Sequence, residues 1–184
     1  MTRRRYLFDT PDRFVAGTVG EPGNRVFFLQ ARDGTRVISV ALEKVQVAAL
    51  IQRLDELLDE LERRGIEGAG TLETFDADPA PLDEPINEAF RAGTLSLGWD
   101  TQDDLVLLEA REQTEDEEED EEFDDDADDG PDLLRVRMTP LAARAFVGRA
   151  LRVLAAGRPP CPLCGQPLDP QGHLCPRRNG HRLN

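Results

Sequence analysis

Three short runs rich in Val, Ile and Phe, each closed by a turn, lead directly into one long amphipathic helix. This succession limits the possible folds more than any other feature. The runs are Val15 to Val19 (VAGTV), Arg25 to Ala31 (RVFFLQA) and Arg36 to Leu42 (RVISVAL), separated by EPGN and RDGT. Gly, Pro, Asn and Asp in the separators are turn formers, so the segment reads as a three-stranded antiparallel meander. From Glu43 to Arg64, Val47, Leu50, Ile51, Leu54, Leu57, Leu58 and Leu61 recur at helical spacing between charged residues, and Gly65 supplies the stop. An apolar stripe of this width covers a sheet more often than it forms a coiled-coil seam, and a sheet has just been laid down beside it.

The pattern recurs. AGTVGEPGNRVFFLQAR, residues 16 to 32, has a counterpart in AGTLSLGWDTQDDLVLLEAR, residues 92 to 111. VRMTPLAARAFVGRALRVL can be laid on VALEKVQVAALIQRLDELL, which pairs Val136 with Val40, Phe146 with Leu50 and Val147 with Ile51. The second helix carries its own signals: Thr139 as N-cap, Pro140 at the first position, an apolar face of Ala143, Phe146, Val147, Ala150, Leu151 and Leu154, and Gly157 as the stop. The chain is therefore read as an α+β protein of duplicated βββα units, with halves at about 13–64 and 90–157 inside a domain spanning 1–157. The two units would form a six-stranded antiparallel sheet or a partly closed barrel covered by two helices. Residues 66–89 lack a sustained period and read as a crossing connection, with a short helical turn near Ile86 to Phe90.

The net charge of -15 belongs almost wholly to one segment, because Glu112 to Asp132 holds 15 acidic residues and no basic one. The remainder is balanced, so the overall charge says little about partners. A run of this kind repels itself and buries almost nothing, so the loop 112–132 is expected to be disordered. It falls in the turn between the second and third strands of the second half, as an insertion in a surface hairpin. A solvated spacer is the plain reading; an acidic arm that docks on a basic partner or mimics nucleic acid is the sharper one. No run of about 18 apolar residues occurs, and the start MTRRRYLFDTPDRF lacks an apolar signal segment, so neither a membrane span nor secretion is expected and the location is read as cytoplasmic.

All 3 cysteines and both histidines fall in the last 24 residues, CPLCGQPLDPQGHLCPRRNGHRLN. Cys161-Pro-Leu-Cys164-Gly is a C-x2-C turn in which two sulfurs can face one ion. His173 and Cys175 sit at alternating positions of an extended segment and can reach the same ion together. Cys161, Cys164, His173 and Cys175 thus complete a tetrahedral site suited to structural Zn2+, with His181 as the competing fourth ligand and iron as the competing metal. The alternative redox reading of the C-x2-C pair lacks the strand-to-helix setting that lowers a thiol pKa. Residues 158–184 are accordingly read as a zinc-ribbon-like appendage whose folding depends on the metal. Four protein ligands leave no open position for water, which disfavours metal catalysis.

No P-loop, GxGxxG, GxSxG or HExxH pattern is present, and the body holds neither His nor Cys. Carboxylate chemistry at Asp9, Asp12, Glu43 or Glu109 is conceivable, but each has a duller role in a turn, a first helical turn or an outward strand position. Trp99, in the turn region GWDT, is either a partner contact or an anchor packed on the sheet.

The run LFDTPDRFVAGTVGEPGNRVFFLQARDG, the helix ALEKVQVAALIQRLDELLDEL and the tail CPLCGQPLDPQGHLCPRRNG together resemble an uncharacterised family of actinobacterial conserved-hypothetical proteins, a domain of unknown function of about this length. The resemblance implies a bacterial cytoplasmic protein and is consistent with the run Gly172 to Cys175 belonging to the metal site. The expected function is a non-catalytic zinc-binding module for protein interaction or regulation, with a protein partner. One alternative is nucleic-acid or ribonucleoprotein binding through Arg158, Arg177, Arg178 and Arg182 of the tail. The other is an enzyme with a carboxylate-based site in the sheet.

Overall fold

The computed structural model of the protein describes residues 3–70, 78–114, 129–157 and 161–163. Seven strands and two helices follow one another as β1 (Arg5–Asp9), β2 (Arg13–Val19), β3 (Val26–Asp33), β4 (Arg36–Leu42), α1 (Lys44–Arg63), β5 (Glu88–Asp100), β6 (Leu105–Glu112), β7 (Leu133–Met138) and α2 (Pro140–Ala155). The strands form one mixed sheet in the order β1-β7-β6-β5-β4-β3-β2. The β1–β7 and β4–β5 pairs are parallel and the other four are antiparallel, so the expectation of a wholly antiparallel sheet is corrected at two places.

Two elements depart from the sequence reading. β1 adds a seventh strand, with Tyr6 and Phe8 turned toward the core, and it pairs with β7 from the far end of the chain, Phe8 opposite Val136. The helical turn expected near Ile86 to Phe90 is instead the start of β5. The free edge of β4 offers backbone partners, Ser39 opposite Glu88 and Val40 opposite Phe90, and these outweigh the weak local preference for helix.

β1 and β2 stand at opposite ends of the strand order, yet only Thr10, Pro11 and Asp12 separate them. Four Cα steps of about 3.8 Å hold the two strand ends within about 15 Å of each other. The open sheet must therefore curl until its edges approach. The β3–β4 turn ties the gap at one end. Gly34 N donates to Asp12 Oδ2 at 2.9 Å, Arg36 Nη1 donates to Leu7 O at 3.1 Å, and the Arg36 guanidinium lies 4.5 Å above the Phe8 ring.

Both helices pack into a single core that takes residues from every strand. Val47, Leu50, Ile51, Leu54, Leu58 and Leu61 form the buried stripe of α1, as their spacing requires. The start of α1 is tied to β5 through Gln46, whose Nε2 donates to Ala92 O and Gly93 O at 3.0 Å each. On α2, Thr139 Oγ1 accepts from Ala142 N at 3.2 Å, and Ala143, Phe146, Val147 and Ala150 are buried. Leu151, expected on the apolar face, is 52% exposed. Arg144 and Arg149 are buried on the same helix. The opposite face of β2, β3 and β4 carries a second apolar cluster of Val15, Phe28 and Ala41, covered by Leu82 and Ile86 of the crossing connection.

The two halves correspond in part. Leu29 opposes Val40 in the first, and Leu108 opposes Val136 in the second, matching the spacing of the aligned sequences. The AGT segments do not correspond. Ala16 faces Leu29, whereas Ala92 faces Glu112, and the place opposite Leu108 belongs to Leu97.

Candidate functional site

The approach of the two sheet edges leaves a cleft of about 300 Å³ between the β1–β2 link, β2 and α2. Phe14, Met138 and Phe146 give it apolar walls, with the Phe14 and Phe146 rings stacked at 4.9 Å. Ala142 and Ala145 offer little side chain to fill the space. Thr10 at the rim has φ 49°, a left-handed conformation that costs a β-branched residue energy. Its N–H donates to Arg137 O at 2.9 Å, which holds the conformation in place.

Arginine side chains knit the cleft to the crossing connection. Arg13 Nε donates to Asp78 Oδ2 at 2.5 Å and Nη1 to Asp83 Oδ2 at 2.6 Å, while Nη2 reaches Ala80 O at 3.0 Å and Pro81 O at 2.9 Å. Gln30 reads the same connection from the other side. Its Oε1 accepts from Asp83 N at 2.7 Å, and its Nε2 donates to Asp83 O at 3.0 Å and to Ser39 Oγ at 3.0 Å. Arg149, 8% exposed, donates Nε to Ala16 O at 2.9 Å and Nη1 to Asp78 O, and so occupies the free edge of β2.

Burial opposes the charge on Arg13, but hydrogen bonds to Asp78 and Asp83 outweigh it and raise the pKa. The Arg13 hydrogen bond, against burial, holds the Asp78 carboxyl below its ordinary 3.8. Arg149 moves the other way. Burial dominates and lowers its pKa, with Asp78 opposing and with Arg13 and Arg152 adding positive charge.

Of the metal ligands read from the sequence, Cys161 is described and is 6% exposed. Its Sγ accepts from the Leu163 amide at 3.4 Å, inside a turn. Cys164, His173, Cys175 and His181 lie outside the described residues. Among the described residues, no group of three or more His, Cys, Asp or Glu stands together as a metal site.

The four carboxylates considered for chemistry occupy separate positions. Asp9 pairs with Arg137 at 3.2 Å, on a guanidinium also held by Asp100 at 2.7 Å and by Asp103. Asp12 takes the Gly34 amide and alone reaches the cleft. Glu43 precedes α1, its N–H donating to Gln46 Oε1 at 2.8 Å. Glu109 is 7% exposed on the outer sheet face, bound to Arg135 and, at 3.4 Å, to Arg111. Trp99 lies on β5 opposite Val106, half-buried against the core. The sequence reading missed Arg13, Asp78 and Arg149, since arginines among the apolar positions of α2 were the one available signal.

The acidic segment leaves from an ordered root. Glu112 closes β6, its N–H donating to Asp132 O at 2.8 Å, and Asp132 is buried, accepting from Arg4 N at 2.8 Å and Arg4 Nε at 2.7 Å. The charge run lies between β6 and β7, its two end residues belong to the folded body, and residues 115–128, where disorder is expected, lie outside the described residues.

Fold and site together define an α+β protein whose curled mixed sheet is closed by two helices and whose arginines bind the seam. The chain belongs to the family described as "Protein of unknown function (DUF3090)", which matches residues 6–175. No curated protein and no solved structure matches it. Among the described residues, no helix is long and apolar enough to cross a membrane.

Proposed function

We infer that the protein is a non-catalytic, zinc-binding module for protein interaction or regulation, acting in a bacterial, actinobacterial cytoplasm. The observation that carries this reading is the Leu163 amide directed at Cys161 Sγ at 3.4 Å. An amide donating to sulfur favours the thiolate, the form that ligates a metal. Cys161, Cys164, His173 and Cys175 would hold the ion, with His181 as the alternative to His173. A closed set of four supplies folding energy to the zinc-ribbon-like tail rather than an activated water.

Kinship of the two halves is part of this reading. It is supported by the matching Leu29–Val40 and Leu108–Val136 pairs, and by single-residue links, Glu43 and Thr139, that join the third strand of each half to its helix. A protein partner is favoured because the rest of the chain is balanced once the acidic run is set aside, and that run repels phosphate.

The test is the zinc content of the full-length protein and its variants. About one zinc per chain is expected, lost in Cys164→Ser and in whichever of His173→Ala and His181→Ala removes the true ligand. Full retention in Cys164→Ser would end the assignment. Elution of the native protein from lysate tests the partner class: a large species that resists nuclease is expected, and collapse on nuclease would favour nucleic acid.

A further inference from the structure

We propose that the seam cleft binds a small organic anion, a carboxylate on an apolar body of about a dozen non-hydrogen atoms. The inference stands on body residues alone and is independent of the metal tail.

Three observations converge. The first is shape, since a cleft of about 300 Å³ with walls of Phe14, Met138 and Phe146 and a floor of Ala142 and Ala145 suits a compact apolar group. The second is Arg149. A guanidinium carries five N–H donors in a fixed fork. Nε and Nη1 are fixed by Ala16 O and Asp78 O, while Nη2 has no hydrogen bond among the described residues. The two fixed nitrogens hold the group in place, so an arriving carboxylate would meet a pre-oriented donor. The third is Thr10 in the lining, held at φ 49°, since backbone strain of this kind collects at ligand sites.

The local charge agrees with an anion. Arg13 and Arg149 face Asp78 and Asp83, with Asp78 Oδ1 3.5 Å from Arg149 Nη1. Arg152 then adds a third cation, with no ion pair among the described residues. It lines the adjoining cleft of about 340 Å³ that Arg149 and Asp78 share with the first. Asp12 also lines the cleft, engaged by the Gly34 amide, so the apolar body rather than the head belongs beside it.

The experiment is ligand-observed fluorine NMR on the full-length protein with para-trifluoromethylbenzoate, using para-trifluoromethylbenzyl alcohol as the neutral control. Binding of the carboxylate at least tenfold tighter than the alcohol is expected. Arg149→Gln should erase that preference. Ala145→Leu, which fills the floor and leaves every charge in place, should weaken both probes at least tenfold. Cys164→Ser should change neither. No carboxylate binding by the wild-type protein, equal binding of the two probes, or binding indifferent to Ala145→Leu would overturn the proposal.

Discussion

Asp78 joins three parts of the chain. Its carboxylate binds Arg13 of β2, its carbonyl binds Arg149 of α2, and it lies itself in the connection between α1 and β5. Because its folded pKa lies below the ordinary 3.8, its contribution is complete above that value and is lost as pH falls through the lower folded value. Asp100 behaves likewise, its carboxyl lowered by the Gln102 amide and then by Arg137. Acid unfolding followed by circular dichroism should therefore show less pH dependence below about pH 4 in Asp78→Asn than in the wild-type protein. Identical acid profiles would remove the Asp78–Arg13 pair from the stability argument. At this scale the sequence was least legible. Arg13 precedes an apolar run and Asp78 sits in a Pro-rich stretch 65 residues away, so nothing local announces that they meet. Cys161 is the opposite case, because a C-x2-C turn is defined by neighbours and can be read directly.

Among the elements, β2 shows how a strand edge and face are both used. Arg149 caps its free edge at Ala16 O, which protects the edge from pairing with another chain. On its outer face Gly17 accepts the Leu82 side chain so closely that a Cβ there would lie 2.5 Å from Leu82 Cδ2. Gly17→Ala is expected to destabilise by about 1–3 kcal/mol in urea unfolding, since Leu82 must leave its seat. A Gly17→Ala, Leu82→Ala double variant should recover part of the overlap cost. A neutral Gly17→Ala would mean that the connection does not pack as described. Periodicity identified α1, α2 and six of the strands because each presents one face to a common core. It missed β1, only five residues long, whose partner β7 lies over a hundred residues away. It also misread the start of β5, where the preference of INEAF yields to the open edge of β4. The buried Arg144 was equally hidden. It satisfies Asp55 and Asp59 of α1 at 2.5 Å each, a bond between helices that no single-helix pattern contains.

In the whole molecule, the acidic run is an addition to a body that closes without it. Glu112 and Asp132 bond to each other at the root of the run, so the β6–β7 hairpin does not need the residues between. Deleting 115–128 removes 12 acidic residues and shortens the connection about threefold. Stability should rise by about 1 kcal/mol from the smaller closure entropy, read as a higher urea midpoint at unchanged slope. A loss of cooperative unfolding would instead make the run part of the fold. The curl of the sheet was half legible. Of the expected sheet and partly closed barrel the structure has the open sheet, since β1 and β2 do not pair, and its curl follows from the three-residue link between these edge strands, which is visible only once β1 is placed. The tail is the reverse, a site read from composition and spacing alone. Its most direct test is zinc K-edge X-ray absorption on the full-length protein. The expected first shell is about three sulfurs near 2.3 Å and one nitrogen near 2.0–2.1 Å. Absence of zinc, or a shell containing water oxygen in place of the fourth protein ligand, would contradict a closed structural site and with it the non-catalytic role.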